Sequence, residues 1–380
     1  MRHVKVDVKP EESGLERYVA GEHMDTDDLH IRRWGIIGDG YLGPAFHRKF
    51  VKGQVLYGSR RTYLRKVAVA KFDGICANTT FVLEPSSDEL LPELLPFIMQ
   101  TEAFTEHSVK QSKGSVNPYI NWKDIAWYEF ALPPKDKQRR IAEILWAADE
   151  VIICLHTVRA NIDNLLSAIR ENEICDAKHP RRRLDICLSG MVPGRSVVGL
   201  NRPATESEFG VLKVSAVGAD GFVPEENKAL VDSKDFRPEF SVKAGDLLIT
   251  RANTRELVGR VCITPAHYQN LMLCDKTIRM AVREDVASKL FLLEALKSRE
   301  VRSQIEADAT GTGGAMKNIS QRKILNLRIP LPDLDVQQLI VSKIQDVVAS
   351  KQSVIDHLAQ TLTYRNALLN ELLMQGNGHV

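Results

Sequence analysis

The residues with the clearest capacity to bind a ligand lie in one short basic segment near the start of the chain. The segment holds Arg60, Arg61, Tyr63, Arg65 and Lys66. An arginine binds phosphate or pairs with guanine through two hydrogen bonds, and a tyrosine packs against a sugar or a base. The segment therefore predicts contacts with a nucleic acid. The alternative is a solvated turn without a ligand, which is common for clustered surface charge.

A second segment of the same kind occurs in the later half of the chain, with Arg251, Asn253 and Arg255 as candidates. Asparagine recognises adenine through two hydrogen bonds. Each segment follows a similar strand-like sequence, Gly53-Gln54-Val55-Leu56 in the first half and Gly245-Asp246-Leu247-Leu248 in the second. The two candidate segments therefore hold equivalent positions.

Each half also contains a loop of small residues, 112–117 and 310–317. Glycine lets the backbone approach a phosphate closely, and lysine or serine can bind it. The candidates in these loops are Lys113, Ser115, Asn117 and Lys317. A plain connecting turn fits these loops equally well. A further basic run, Arg181-Arg182-Arg183, is either a phosphate anchor or a solvated linker.

The elements that must position these residues belong to an internal sequence repeat. Paired positions lie 199 residues apart: Leu132 and Leu331, Pro133 and Pro332, Gln138 and Gln337, Ile141 and Ile340. A constant offset indicates two copies of one unit, and two copies in one chain predict an object with pseudo-twofold symmetry.

A long helix is predicted after each proline-containing sequence, over residues 134–178 and 333–376. In the first helix, apolar residues form a heptad seam of a and d positions. They are Ile141, Ala148, Leu155, Ile162 and Ile169 at a, and Ile144, Val151, Val158 and Leu165 at d, with Leu145, Ile152 and Leu166 widening the stripe. The seam favours a coiled coil between the two helices. The alternative is that each helix packs on its own mixed block.

The remaining blocks show a mixed α/β pattern. Strands are predicted at Lys66–Ala70, Thr80–Leu83, Asp246–Thr250 and Thr277–Val282. One helical stretch is predicted in each block, Leu90–His107 and Val286–Ile305. The fold class is thus α/β (mixed α+β), with two globular domains separated by two long helices.

Composition places the chain among ordinary folded proteins. Its 380 residues are 44% hydrophobic and 26% charged, with a net charge of +2, and this length suits two or three domains. No apolar run is long enough for a membrane span, and Met1–Asp7 lacks the apolar core of a signal peptide, so we expect a cytoplasmic protein. Six cysteines without a Cys-x-x-Cys pair predict reduced thiols and no metal site.

Catalytic motifs are missing from the sequence. Asn117-Pro118-Tyr119-Ile120 partly resembles the Asn-Pro-Pro-Tyr loop of amino-methyltransferases, but Tyr119 stands where the second proline is needed. There is no phosphate-binding GxxxxGK[ST] loop, no His-Glu-x-x-His and no Gly-x-Ser-x-Gly. We expect no catalytic site and no cofactor in this chain.

Taken together, the two Pro-Gln-Ile helix starts, the paired Gly-x-[Val/Leu]-Leu stretches and the small-residue loop before each proline resemble the specificity (S) subunit of type I restriction-modification enzymes. The resemblance covers nearly the whole chain. It implies target-recognition domains at 1–133 and 179–332 and spacer helices at 134–178 and 333–376.

The resemblance also implies a function and partners. In that family each recognition domain reads one half of a bipartite site in double-stranded DNA. An antiparallel helix pair sets the spacing and docks two methyltransferase subunits, which use S-adenosylmethionine, and restriction (motor) subunits complete the complex. One departure is that the first block has only 52 residues before Gly53. Its opening segment therefore looks short, and the first domain is expected to begin late or to borrow structure from the C-terminal end.

Two other functions fit the same residues. A non-catalytic coiled-coil scaffold would bridge proteins without reading a DNA sequence. A methyltransferase with an unrecognised site would bind S-adenosylmethionine on its own. The equivalent Arg/Asn-containing loops favour the DNA-reading function, since a plain scaffold has no need of them.

Overall fold

The computed structural model describes residues 1–311 and 316–374. The chain forms two compact units, the first from residues 1–157 and 355 onward, the second from Val158–Val354. No helix of the described residues has the length and hydropathy of a membrane span.

Unit 1 consists of eight described strands and its helices. The strands are β1 (Arg2–His3), β2 (Arg17–Val19), β3 (Gly35–Ile36), β4 (Phe46–Phe50), β5 (Val55–Gly58), β6 (Val67–Val69), β7 (Gly74–Ala77) and β8 (Thr80–Glu84). They form two four-stranded sheets, ordered β1-β8-β5-β6 and β3-β2-β7-β4. The helices are α1 (Leu95–Ile98), α2 (Glu102–Lys110), α3 (Trp122–Ala126) and the start of α4 (Lys135–Ile169).

Unit 2 repeats this arrangement. Its strands are β9 (Arg181–Arg183), β10 (Leu188–Pro193), β11 (Gly210–Leu212), β12 (Asn227–Ala229), β13 (Ser241–Val242), β14 (Leu247–Thr250), β15 (Ala252–Asn253), β16 (Val261–Ile263), β17 (Tyr268–Met272), β18 (Thr277–Val282), β19 (Lys317–Asn318) and β20 (Arg328–Pro330). Its helices are α5 (Lys289–Lys297), α6 (Arg299–Asp308), α7 (Gln321–Asn326) and the start of α8 (Leu334–Met374).

The two units have the same sheet topology. The four-stranded sheets of unit 2 are ordered β10-β18-β14-β16 and β12-β11-β17-β13, and each strand has its counterpart in unit 1. Each unit even has one parallel pair at the same place, β2 with β7 and β11 with β17. The mixed α/β class is confirmed, and all four predicted strands are present, Thr277–Val282 with its exact bounds.

The opening of unit 1 differs from the expectation of a late start. Strand β1 already lies at Arg2–His3 and pairs with β8, as β10 pairs with β18. What unit 1 lacks, among the described residues, is a counterpart of β9, which pairs with β20 in unit 2. The equivalent of β20, residues 129–131, pairs with no strand of the part of the chain that the structure describes. Helix α8 does contribute to unit 1, because Leu369 belongs to its core.

The prediction of one continuous helix in each mixed block was wrong, because each stretch contains two helices. Residues 90–107 contain α1 and α2, separated at Thr101, and the second stretch divides into α5 and α6 at Ser298. Both residues have extended backbone, and their hydroxyl oxygens accept hydrogen bonds from Phe104 and Val301 amides. Serine and threonine at such positions begin a new helix, so they end the preceding one.

The repeated glutamine explains the most regular part of the duplication. The Gln138 Nε2 group donates to the carbonyls of Pro133 and Glu89 at 2.8 and 2.7 Å, and its Oε1 accepts from the Leu91 amide. Gln337 makes the same set of bonds, to Pro332, Val286 and Ser288. Both side chains are buried. Each glutamine therefore fixes the start of a long helix to its own mixed block.

The buried face of α4 differs from the predicted a/d seam. Positions d are exposed, with Ile144 at 40% and Leu165 at 49%. Most of the buried or half-buried apolar residues instead follow positions a and e: Ile141, Leu145, Ala148, Ile152, Leu155, Ile162, Leu166 and Ile169. Leu145, Ile152 and Leu166, which were expected only to widen the apolar stripe, are the e positions of this buried face. The helix ends at Ile169 and continues as a π-helical turn, Arg170–Ile174, within the predicted bounds.

In each unit, the buried face of α4 packs both on the other long helix and on the mixed block, so both of the alternatives that the pattern allowed occur. In unit 1, Ile141 and Leu145 share a core with Phe97 of the mixed block and Leu369 of α8. In unit 2, Leu166 shares a core with Phe291 of α5 and with Ile340, Val341 and Ile344 of α8. Long-helix contacts and mixed-block contacts therefore belong to the same apolar clusters.

Candidate nucleic-acid interface

In unit 1 the structure brings together the two segments that the sequence indicated separately. The basic segment follows β5, and the small-residue loop lies between α2 and α3. Arg60 pairs with Tyr119 in an isolated antiparallel bridge, and the Ile120 amide donates to the Ser59 carbonyl at 3.0 Å. The strand end thus holds the loop, and the two segments form one surface.

The small-residue loop is a closed hairpin. Lys113 and Tyr119 exchange both backbone hydrogen bonds, at 2.8 and 2.9 Å. Gly114 begins the turn with φ at +88°, a conformation that glycine adopts without a steric penalty. Ser115 and Asn117 lie at the exposed tip. These two predicted contact residues are therefore presented to solvent.

Arg60 and Arg61 flank this hairpin. The Arg60 guanidinium lies over the Tyr119 ring, 5.2 Å from its centroid. Arg61 donates from its backbone to the Pro118 carbonyl at 2.6 Å and from Nε to the Asn117 Oδ1 at 3.2 Å. Both arginines are exposed and neither has a carboxylate partner among the described residues. Their positive charge is available to an anionic ligand.

Arg65 and Lys66 have internal partners instead. The Arg65 side chain is 14% exposed, and it pairs with Asp27 at 2.8 Å and Glu102 at 2.6 Å. The Lys66 ammonium donates to the Gly21 carbonyl at 2.6 Å. Tyr63, which lies between Arg61 and Arg65 in the sequence, is 53% exposed. The basic segment therefore divides into a structural part and an exposed part.

Lys113 is fixed at the base of the hairpin by Asp124 of α3, at 3.1 Å. The hydrogen bond from the Lys113 ammonium lowers the pKa of the Asp124 carboxyl below its ordinary value. The pair is partly solvated, so a phosphate could compete for the lysine, because exposed ion pairs contribute little stability.

Unit 2 repeats the same arrangement. Thr310 and Asn318 exchange both backbone hydrogen bonds, and the Ile319 amide donates to the Arg251 carbonyl at 2.9 Å. Strand β15 pairs with β19, with Asn253 opposite Lys317. Ile319 follows Ile120 by the repeat offset of 199. Part of this loop, residues 312–315, lies outside the described residues.

The predicted residues of unit 2 surround this short ladder. Arg255 is exposed, with Glu306 3.9 Å away. Arg251, Asn253 and Lys317 are half-buried. The Asn253 Oδ1 accepts from the Thr254 amide, and the Lys317 ammonium donates to the Gly311 carbonyl at 3.2 Å. The structure therefore places all four residues at one end of the sheet.

Arg181, considered as a phosphate anchor, has a structural position. Its guanidinium donates to the carbonyls of Cys175, Asp176 and His179 and pairs with Glu300 at 2.8 Å. It caps the end of the first long helix, where carbonyl groups lack partners. Arg182 and Arg183 are exposed on β9.

Sequence reasoning missed two residues of the unit 1 site. Tyr119 was considered only as part of a catalytic loop, yet it stacks under Arg60. Asp124 belongs to no recognisable sequence motif, although it forms an ion pair with Lys113. An aromatic residue just after the Asn-Pro pair was the one signal available for Tyr119. Nothing in the sequence pairs Asp124 with a lysine eleven residues earlier.

The fold and this site define a class of protein: a duplicated α/β protein with two matching sheet pairs, each presenting a hairpin beside a basic strand end. Comparison with known proteins gives the family. The sequence model described as the type I restriction modification DNA specificity domain matches residues 32–163 and 207–363. The match covers well over half of the chain, so the chain belongs to this family.

Curated relatives agree. The EcoEI specificity subunit of a type I restriction enzyme from Escherichia coli is 33% identical over 43% of this chain, and the alignment spans 29% of that relative. The EcoKI specificity subunit of Escherichia coli K12 is 27% identical over 75% of this chain and 66% of its own length. The chain thus spans about a third of the first of these relatives.

Solved structures resemble the fold. A chain from a structure that concerns complex assembly and conformational transition of the type I R-M system matches with a TM-score of 0.53 and 17% identity. That match covers 98% of this chain and 97% of the other. The S subunit of a type I restriction-modification system from M. genitalium gives a TM-score of 0.52 and 13% identity, covering 98% and 92%.

Proposed function

We propose that this chain is the sequence-reading subunit of a DNA methyltransferase and restriction complex, with each unit reading one half of a bipartite site. One observation carries the proposal: in both units a bridged pair of residues, Lys113 with Tyr119 and Thr310 with Asn318, lies beside the segment that follows the equivalent strand, β5 or β14. Backbone amide bonds at Ile120 and Ile319 hold the two hairpins in the same way. Duplication of a binding surface suits a ligand with two halves, and exposed arginines suit its phosphates.

The long helices would set the distance between the half-sites. Asp149 contacts Arg365 in unit 1, and Asp163 contacts Lys351 in unit 2. The residue numbers 149 with 365 and 163 with 351 both add to 514, as in one antiparallel register. This agreement supports an antiparallel coiled coil with pseudo-twofold symmetry and a spacing role for its length.

The exposed d positions of α4 offer a docking face for methyltransferase subunits. Ile144, Val151, Val158 and Leu165 recur every seven residues and are 38–49% exposed. An apolar row on a helix is a common partner-binding surface. We propose that two methyltransferase subunits dock on the helices and supply both catalysis and S-adenosylmethionine, while this chain supplies neither. Restriction subunits would join through them, in the cytoplasm.

The test is to co-express the chain with a methyltransferase subunit in a host without its own modification and to map methylated adenines by long-read sequencing. We expect two short defined halves around a fixed unspecified gap. Exchange of residues 183–332 for the block of another family member should then change one half only. A complex that forms but methylates no defined motif would favour the scaffold function. Binding of S-adenosylmethionine by the isolated chain in calorimetry would favour the methyltransferase.

A further inference from the structure

The hairpin of unit 1 carries an apolar side chain at its tip. Val116 lies between Ser115 and Asn117 and is 91% exposed. Few large hydrophobic side chains of the described residues are as open to solvent. A loop that only connects two elements gains nothing from an exposed valine, because water contact with its methyl groups is unfavourable. The Val116 side chain is therefore open to any ligand that binds the neighbouring exposed arginines.

The tip is also held firmly. Two bonds between Lys113 and Tyr119 close the hairpin, and Arg61 binds both Pro118 and Asn117 from the neighbouring segment. Below the turn, the hydroxyl groups of Thr62 and Ser112 lie 2.8 Å apart within hydrogen-bond distance. A side chain on a rigid support binds without the entropic cost of ordering a loop. Val116 is thus presented in one place.

The groups around Val116 indicate which ligand surface it meets. Arg60, over the Tyr119 ring, and Arg61, hydrogen-bonded to the Asn117 Oδ1, provide cationic groups beside the hairpin for phosphates. The major groove of B-DNA is wide enough for two adjacent chain segments, and the one apolar group on a base edge there is the C5-methyl of thymine. An exposed valine on a hairpin next to cationic groups complements that methyl group.

We propose that Val116 determines specificity for a T·A pair in the half-site read by unit 1, through contact with the thymine methyl group. This inference rests on the proposed function. Beyond the proposed function, it names thymine as a recognised base and its C5-methyl group as the point of contact. The hairpin enters the major groove, Arg60 and Arg61 bind the backbone, and Val116 packs on the methyl group.

Deoxyuridine provides the test, because it pairs as thymine does and lacks only the methyl group. The complex of this chain with its methyltransferase partner is titrated, by fluorescence anisotropy, onto duplexes that carry the mapped motif. Each thymine of the unit 1 half is replaced in turn. The unit 1 half is the one that stays unchanged when residues 183–332 are exchanged. We expect one position at which deoxyuridine weakens binding about fourfold, the factor for one buried methyl group.

The variants assign that loss to the valine. V116S should bind the thymine duplex about as weakly as the wild type binds the deoxyuridine duplex, and it should not distinguish the two. V116L should still distinguish them, because it keeps an apolar side chain at the tip. V6S, which changes another exposed valine of unit 1, should behave as wild type. Since Val116 is exposed, none of these changes removes a core contact.

Failure of this inference differs from failure of the proposed function. If the wild-type complex methylates no bipartite motif, the proposed function falls and this inference falls with it. If a motif is found and V116S retains the full deoxyuridine effect, only the role of Val116 is overturned. The same holds if the unit 1 half contains no thymine on either strand, or if V116S weakens binding equally to every DNA sequence.

Discussion

Arg60 and Arg65 lie five residues apart in one basic segment, and their surroundings separate their roles. Arg60 is exposed over Tyr119, whereas Arg65 is nearly buried between Asp27 and Glu102. From the sequence the two are indistinguishable, because the partners of Arg65 lie 38 residues before and 37 after it. The sequence therefore grouped these side chains in one candidate segment and could not separate the exposed side chains from the internally paired ones.

The two arginines should respond differently to alanine. R60A should weaken DNA binding and reduce the slope of log K against log salt concentration by about 0.9, the value for one lost phosphate contact. R65A should keep that slope and lower the free energy of unfolding by about 1–3 kcal/mol, because it leaves the carbonyl of the buried Gln100 without its donor. Anisotropy at several salt concentrations and urea unfolding measure the two quantities. R33A, an exposed arginine paired with Asp25, is the control. An unchanged slope in R60A would contradict the assignment.

Gln138 and Gln337 have a structural role, because each joins the start of a long helix to its mixed block. Q138A and Q337A should each destabilise the protein by about 2–3 kcal/mol, because each removes three hydrogen bonds and leaves buried carbonyls without a donor. The shift of the urea-unfolding midpoint measures the effect. Q345A, which changes an exposed residue of α8, should shift it little. Equal shifts in Q337A and Q345A would show that the glutamine bonds do not hold the helix start.

At the scale of elements, the long helices were predictable in position and length, but their buried face was not. Leucine, isoleucine and valine occupy positions a, d and e of α4, so periodicity alone admits either an a/d or an a/e stripe. The choice depends on neighbours. In unit 1 the e position Leu145 enters a core with Phe97, and the d position Ile144 stays exposed. Tertiary packing buried the e row, although its third position is Arg159, and left the wholly apolar d row exposed.

A buried charged cluster fixes α8 against α4 in unit 1. Asp149 contacts Arg365 and forms a short hydrogen bond with His30, and all three side chains are buried. Arg365 also donates to the Asp27 carbonyl at 3.0 Å. Burial of the Arg365 guanidinium lowers its pKa from the ordinary value. By the offset of 199, Asp149 and Arg365 correspond to Val348 and Leu166 in unit 2. The two ends of the helix pair thus use different chemistry.

Removing one member of this cluster should be costly. D149A should lower the free energy of unfolding by about 3–5 kcal/mol, since it leaves Arg365 buried without its carboxylate. The double variant D149L/R365M, which replaces the buried ion pair with apolar side chains, should recover most of that loss. D163A removes the partly exposed partner of Lys351 and should cost about 0–1 kcal/mol. Urea unfolding measures all three. A loss of similar size in D149A and D163A would argue against a special role for the buried cluster.

At the scale of the whole molecule, duplication was the feature that the sequence predicted best, and the matching sheet orders of the two units agree with it. The exceptions have physical causes. Strand β9 exists in unit 2 because residues after the first helix turn back along β20. Among the described residues no segment does so for residues 129–131, and Phe130 is 37% exposed where its counterpart Ile329 is fully buried. A repeat offset predicts equivalent positions, but it cannot predict that a covering segment is missing from one copy.

The length of the helices should determine the gap between half-sites, and this can be measured without knowing either half. Deleting residues 151–157 from α4 together with 357–363 from α8 removes opposing heptads, by the register in which residue numbers add to 514. Seven residues shorten a helix by about 10 Å at about 1.5 Å per residue. This equals about three base pairs at about 3.4 Å each. A whole heptad keeps each remaining residue on its original face, so both cores should survive.

We therefore expect the doubly deleted protein to methylate a motif with the same two halves and a gap about three base pairs shorter. The deletion of 151–157 alone is the matched control. It puts α4 out of register with α8, separating Asp149 from Arg365 or Asp163 from Lys351, and should abolish complex formation or motif methylation. Long-read methylation mapping measures the gap directly. An unchanged gap in the double deletion would contradict a spacing role for the helices, while altered halves would contradict recognition by the two hairpin-bearing units.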